Sequence, residues 1–162
     1  MGTDEVSRIK EIFSQLGLHP IYLEHEEVIT SQDAAATRGF ELRQGIKALL
    51  FTNGSYELVV VNVPADQKVD PKKVSLKLGW SKIKMCTPEQ VLEHTGCVIG
   101  AVPPFGHKEK IQILFDSRIF ENLESAFNIG LRTHSVKIPT MEMKTVFDFV
   151  KAQEGDFVAA VR

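Results

Sequence analysis

Two apolar runs, residues 45–52 (GIKALLFT) and 57–63 (ELVVVNV), flank the dipeptide Asn53-Gly54. Asn-Gly between β-forming runs is a strong hairpin signal, because both residues tolerate the positive φ that a tight hairpin turn demands. The middle of the chain is therefore an antiparallel strand pair. That pairing, with the short connections around it, argues against a simple doubly wound parallel sheet and for a mixed α/β domain.

Helical and strand patterns surround the hairpin. Residues 4–16 carry Val6, Ile9, Ile12, Phe13 and Leu16 at helical spacing, with Thr3 or Asp4 as the cap and Gly17 as the stop. A short strand is expected over 20–24. Ser31 caps an alanine-rich helix over 31–38 that Gly39 ends. Asp70-Pro71 opens a helix to Gly79, and Thr87-Pro88 opens another to His94, ended by Gly96, both by the cap-then-proline rule. Residues 83–85 and 111–115 read as strands, and 118–124 as a helical turn. Asn128 to Gly130 reads as a turn, 134–138 as a last strand, and 140–152 as a closing helix capped by Thr140. No repeat, low-complexity tract or linker interrupts the 162 residues, so one domain spans the chain.

A net charge of -2 gives no overall basic field, so a nucleic-acid partner would have to be met by a local patch. Two clusters qualify: Lys68, Lys72, Lys73, Lys77, Lys82 and Lys84, then His107, Lys108 and Lys110. Each is either an ordinary solvated face or a track for a phosphate backbone. Cys86 and Cys97 lack disulfide or zinc spacing and read as small buried hydrophobes. The histidines at 19, 25, 94, 107 and 134 show no metal-ligand spacing. No Walker loop, G-x-S-x-G or H-E-x-x-H is present, and neither a metal nor a cofactor is expected. The start MGTDEVSRIKEIF has no apolar signal core, and Val6 stands where a myristoylation site wants Ser or Thr, so a cytoplasmic protein is expected.

Three features carry chemistry. Lys47 lies inside an apolar strand, where a buried ammonium is costly unless paired. Either its stem packs while its head reaches water, or it is aimed into a cleft to meet phosphate. Asp66, in VPADQKVD, follows a strand and is a turn residue or a site carboxylate. The third feature is the stretch GCVIGAVPPFGH, residues 96–107. Its glycines let backbone groups approach a ligand, and its prolines fix the shape. It is either a rigid connection or the wall of a pocket.

In order along the chain stand GIKALLF, ELVVVNVPADQKVD, K-K-x-x-x-x-L-G-W, T-P-E-Q-V ending in T-G, and G-A-V-P-P-F-G. This succession, over residues 6–149, resembles the YbaK family of aminoacyl-tRNA deacylases, which includes free-standing editing proteins and the insertion domain of bacterial prolyl-tRNA synthetases. The resemblance implies a compact α/β (mixed α+β) domain with a mixed, partly closed, barrel-like sheet surrounded by helices. It implies hydrolysis of the ester of mischarged tRNA, the second sieve of editing, with Cys- or Ala-tRNA-Pro as the expected substrate and prolyl-tRNA synthetase as a possible partner. The family's essential lysine falls on Lys47. Its G-x-x-x-P pattern falls on Gly100, Ala101, Val102, Pro103 and Pro104, with Gly100, Ala101 and Pro104 assigned to catalysis through the backbone. His25, Asp66, Val102, Pro103, Phe105, Gly106 and Gly130 would bind substrate. The family uses no metal and no protein nucleophile; water, or the substrate's own ribose hydroxyl or thiol, attacks. Two other readings stand beside this one. One is a non-catalytic module that holds a nucleotide, a tRNA acceptor end or a synthetase. The other is a metabolic enzyme acting on an unrelated small ester or nucleotide.

Overall fold

The computed structural model describes residues 2–27 and 41–160. The helix expected over 31–38 lies outside them. The described elements are α1 (Thr3–Gln15), β1 (Ile21–Glu24), a 3-10 turn (Leu42–Gln44), β2 (Ile46–Thr52), β3 (Leu58–Pro64), α2 (Pro71–Leu78), β4 (Lys84–Met85) and α3 (Pro88–Thr95). They continue with β5 (Gln112–Asp116), a second 3-10 turn (Ser117–Glu121), β6 (Glu124–Asn128), β7 (His134–Pro139), α4 (Thr140–Phe149) and β8 (Gln153–Gly155).

The strands form two sheets, in the orders β1-β7-β6 and β4-β2-β3-β5-β8. The larger sheet is mixed: β2 pairs antiparallel with β3 and β4, while β3–β5 and β5–β8 are parallel. A parallel bridge between Gly45 and Ala126 joins the sheets at a corner. The fold is the mixed α/β domain expected.

The hairpin forms, with Ile46 opposite Pro64 and Thr52 opposite Leu58. Its connection is longer than a two-residue turn. The Asn53 side-chain oxygen accepts from the Ser55 amide at 2.9 Å and the Glu57 amide at 3.4 Å, so an Asx turn closes the loop. Helices α2 and α3 begin and end as their sequences dictate. Asp70 accepts from the Lys72 amide, Thr87 and Gln90 form a capping box, and Gly79 and Gly96 end the helices in the left-handed region.

The expected caps of α1 and α4 differ. The cap of α1 is Gly2, in the left-handed region and without a side-chain bond, because the chain there is pressed against Gly130. Thr140 is the first residue of α4, and its hydroxyl is spent on Ser125 at 2.7 Å in the core, so Pro139 takes the cap position. Strands β6 and β8 were not legible in the sequence. ESAFN has little β-branched character, and QEG is three residues at a sheet edge.

Three apolar clusters hold the layers. The first joins α1 (Val6, Ile9, Phe13), α4 (Met143, Val146, Phe147) and strand residues from both sheets, with Phe115 stacked on Phe147 at 4.2 Å. The second lies on one face of β2 and β3, where Ala48, Leu50 and Val60 meet Cys86, Val91, Cys97, Ala101 and Val102. The third lies on the other face, where Leu49, Phe51, Val59, Val61 and Val63 meet α2, Trp80 and Phe157. Both cysteines are buried, as their spacing suggested.

Candidate active site

The loop after α3 begins with a turn in which the Ala101 amide donates to the Val98 carbonyl at 3.0 Å. Gly100 stands at the third turn position with φ +88, which is the conformation that calls for glycine in a type II turn. The prolines that follow have no N–H, and their carbonyls are bound by side chains. Asn62, fully buried on β3, donates from Nδ2 to the Pro104 carbonyl at 3.1 Å and to the Leu114 carbonyl at 3.2 Å. The His107 ring reaches the Pro103 carbonyl at 2.8 Å through Nε2, so that nitrogen carries the proton. Arg8 of α1 donates to the Gly106 carbonyl at 3.1 Å, Arg132 to the Ile99 carbonyl at 2.9 Å, and Asn128 to the Gly100 carbonyl. Four side chains from separate parts of the chain thus hold four loop carbonyls, and a fifth group, His107, closes the loop on itself at Pro103.

The donors are left over. Among the described residues the Gly100 and Val102 amides have no acceptor. Gly100 is exposed, while Ala101, Val102, Pro103 and Pro104 are buried. The result is a rigid strip with two free N–H groups and small apolar backing. Burial pushes the His107 ring down to about 4, against the opposing hydrogen bond to Pro103, with the charge of Arg8 adding to the fall. It is a neutral imidazole at pH 7.

Lys47 belongs to a second group. Burial lowers its pKa, Asp66 opposes that shift, and Lys68 adds to it. Its ammonium has no ion pair or hydrogen bond among the described residues. Asp66 is exposed, in a turn closed by the Gln67 amide on the Pro64 carbonyl at 3.0 Å. Strand alternation places Lys47 on the face of Leu49 and Phe51, whereas the loop packs on the face of Ala48 and Leu50. The structure therefore brings Lys47, Asp66 and Lys68 together, and separately Gly100 to Pro104 with Asn62 and His107. The two groups stand on opposite faces of one strand.

That strand has an open edge between them. Residues 45, 47, 49, 51 and 53 face β3 with their backbone groups, since the Ala65 amide bonds Gly45 and the Asn53 amide bonds Glu57. The even residues point the other way. Leu50 meets Cys86 there at 2.9 Å, and Gly45 is bridged to Ala126. Ala48 lies between, and its N–H and C=O find no partner among the described residues.

Other expected site residues are placed differently. Phe105 is fully buried, edge-on to Phe13 at 5.6 Å and to Phe127 at 5.9 Å, so it anchors the loop in the core instead of facing a substrate. Gly106 and Gly130 are packing positions. A Cβ on Gly106 would stand 2.9 Å from Ile9, and one on Gly130 would stand 2.5 Å from the Gly2 carbonyl oxygen. His25 ends β1. Its Nδ1 lies 2.8 Å from the Glu26 carbonyl and must donate, so Nε2 accepts from the Ser135 hydroxyl at 2.9 Å. Sequence reasoning missed Asn62, Arg8, Asn128 and Arg132. Only Asn62 left a signal, as the single polar residue in VVVNV.

The sequence matches the model of the aminoacyl-tRNA editing domain over residues 25–146. The chain belongs to the aminoacyl-tRNA editing domain family. This editing domain is 34% identical to the "Multifunctional Ser/Thr-tRNA deacylase ProXp-y" of Escherichia coli strain K12 over 145 residues, 87% of each protein. It is 31% identical to the proline–tRNA ligase of Trichlorobacter lovleyi over 87 residues, 54% of this chain and 15% of the ligase. The crystal structure of a protein put forward as a trans-editing enzyme for prolyl tRNA synthetase superposes with a TM-score of 0.82 at 25% identity, covering 96% of this chain and 98% of that one. Among the described residues no group of His, Cys, Asp or Glu is arranged to hold a metal ion, and no helix is long and apolar enough to cross a membrane.

Proposed function

We propose that this chain is an aminoacyl-tRNA deacylase that hydrolyses the ester of a mischarged tRNA after the synthetase has released it. The observation that carries this reading is the tethered loop, in a chain of the editing family: five side chains hold its carbonyls and two amides are left to donate.

In the proposed reaction the 3′-terminal nucleotide straddles the open edge of β2 at Ala48. On one face, Lys47 and Lys68 meet its phosphate or ribose oxygens as point charges, and the charge of Asp66 opposes the fall that burial imposes on the Lys47 pKa. On the other face, the acyl group lies along Gly100 to Pro104. Water adds to the ester carbonyl carbon. The Gly100 and Val102 N–H groups receive the developing oxyanion, and because the loop is already fixed they need no reorganisation to do so. The carbon–oxygen ester bond then breaks, the ribose oxygen takes up the proton that the water gave, and free amino acid and tRNA leave. Catalysis is by positioning and backbone dipoles.

Ala101 and Val102 back the strip with small side chains, which suits a small acyl group. Cys and Ala on tRNA-Pro fit this size. Ser and Thr fit it too, and they are the amino acids in the name of the Escherichia coli relative. The test is release of radiolabelled Ser, Thr, Cys, Ala and Pro from charged tRNAs by wild type and Lys47→Ala. Wild type should clear at least one small mischarged amino acid and spare Pro-tRNA-Pro, and the variant should be slower by about 10²-fold or more. An unimpaired variant would sink the mechanism. No release from any charged tRNA, with tRNA still bound, would leave a binding module.

A further inference from the structure

We infer that the lysines running from Lys68 along α2 to β4 form a track for the phosphate backbone of the tRNA acceptor arm, outside the catalytic loop. This rests on the deacylase reading and extends it to how the body of the substrate is held.

Residues 68–84 hold six lysines against one carboxylate, Asp70, in a chain whose net charge is -2. Lys68, Lys72, Lys77, Lys82 and Lys84 are all exposed, and none has a carboxylate within ion-pair distance among the described residues. Only Lys73 is paired, with Asp156 at 3.1 Å. The nearby acids are otherwise engaged. Asp70 caps α2, Asp156 also binds Arg118, and Glu57 accepts from Trp80 Nε1 at 2.8 Å. Five unpaired ammonium groups between Lys68 and Lys84 of a mildly acidic protein form a local positive field that a charge-balanced segment lacks.

The fold gives this field a direction. Lys68 lies near enough to Lys47 to depress its pKa, so the track starts at the candidate site. Helix α2 packs through Val74 and Leu78 on the same face of β2 that carries Lys47. The far end is β4, where Lys84 stands opposite Thr52. From Lys47 to Thr52 is five residues, about 17 Å of strand. At that end a cleft of about 300 Å³ is lined by Asn53, Gly54, Lys82, Ile83 and Lys84. Beside it the hairpin tip carries Tyr56, 99% exposed, whose ring is free to stack on a base. A series of cations from Lys68 through α2 to β4, with an open aromatic ring beside its end, suits a nucleic-acid strand that leaves the site along α2. Leu76 and Met85 are also exposed on these elements, but the five unpaired cations outnumber them, which favours a phosphate backbone over a docked protein.

The experiment compares wild type with Lys77→Gln/Lys82→Gln/Lys84→Gln, three exposed residues outside the catalytic machinery. Binding of uncharged tRNA is read by fluorescence anisotropy across a salt series, and kcat/KM is read on full-length charged tRNA and on a 3′-aminoacyl CCA trinucleotide. We expect the triple variant to lose about tenfold in tRNA affinity at low salt. Its slope of log K against log salt should fall by about 2, since each lost phosphate contact removes 0.7–0.9. Its kcat/KM should fall on tRNA and stay unchanged on the trinucleotide, which also shows that it is folded. Unchanged affinity and slope, equal losses on both substrates, or an effect seen only in binding to a synthetase would each overturn the track. Failure of wild type on every charged tRNA would defeat the deacylase reading alone, because the binding arm still tests the lysines.

Discussion

His107 and Asn62 show how single side chains set the shape of the loop. The ring of His107 is neutral because burial holds it at about 4, below its ordinary 6.5. Between those values the unfolded chain binds a proton that the folded chain refuses. Stability from this group is therefore intact above pH 6.5 and is lost as the pH falls toward 4, by at most about 3 kcal/mol, trimmed by the ring's partial exposure. Urea titrations of wild type and His107→Gln across pH 4–7 should show a shallower pH slope in the variant; equal slopes would mean the ring is not held neutral. Asn62 has a buried Oδ1 without a partner, while both Nδ2 bonds hold backbone carbonyls. Asn62→Ala should cost about 1–3 kcal/mol and lower kcat more than it alters KM, because the Pro104 carbonyl loses its donor. A variant with wild-type kcat would remove Asn62 from the positioning of the loop. The sequence made Lys47 and the Gly/Pro loop visible, since an ammonium among apolar residues and a dense Gly/Pro run are local oddities. It could not show which groups hold that loop. Asn62 and Pro104 are 42 residues apart, and Arg8 and Gly106 are 98 apart. Such pairs exist only after folding.

At the scale of elements, α1 both covers the core and restrains the loop. Val6, Ile9 and Phe13 are buried, and Arg8, between Val6 and Ile9, reaches Gly106. The two meet where Gly106 adopts φ +77 with Ile9 directly above it. Gly106→Ala should destabilise by about 1–3 kcal/mol, from the left-handed backbone and the push on Ile9. It should also slow deacylation by loosening the Arg8 tether. Thermal denaturation with kinetics on the same sample checks both, and an unaltered Tm would contradict the packing. The helices with a cap and a proline at their start were legible to within a residue or two. The cap of α1 was not, because Gly2 is chosen by its contact with Gly130, far along the chain.

For the whole molecule, the first core cluster takes residues from both sheets, from α1 and from α4, so the two sheets share a core, to which the larger sheet adds a cluster on each of its faces. Unfolding should then be a single transition. Trp80, the only tryptophan, reports on the larger sheet, and far-UV circular dichroism reports on all the helices. Their urea midpoints should coincide, and two separated midpoints would mean that the sheets fold independently. The hairpin and the mixed architecture could be read from turn chemistry and apolar runs. The division into two sheets could not, because it rests on the single bridge from Gly45 to Ala126 and on strands as plain as ESAFN and QEG. The tethered loop has a further consequence. In the proposed reaction its donors are peptide amides, which no codon change can remove short of proline, while the side chains at 101 and 102 that would bound the acyl group can change in size only together with the cluster they pack in. Such a site can exchange one unwanted amino acid for another by altering the size of its mesh, and keep the same hydrolytic apparatus throughout.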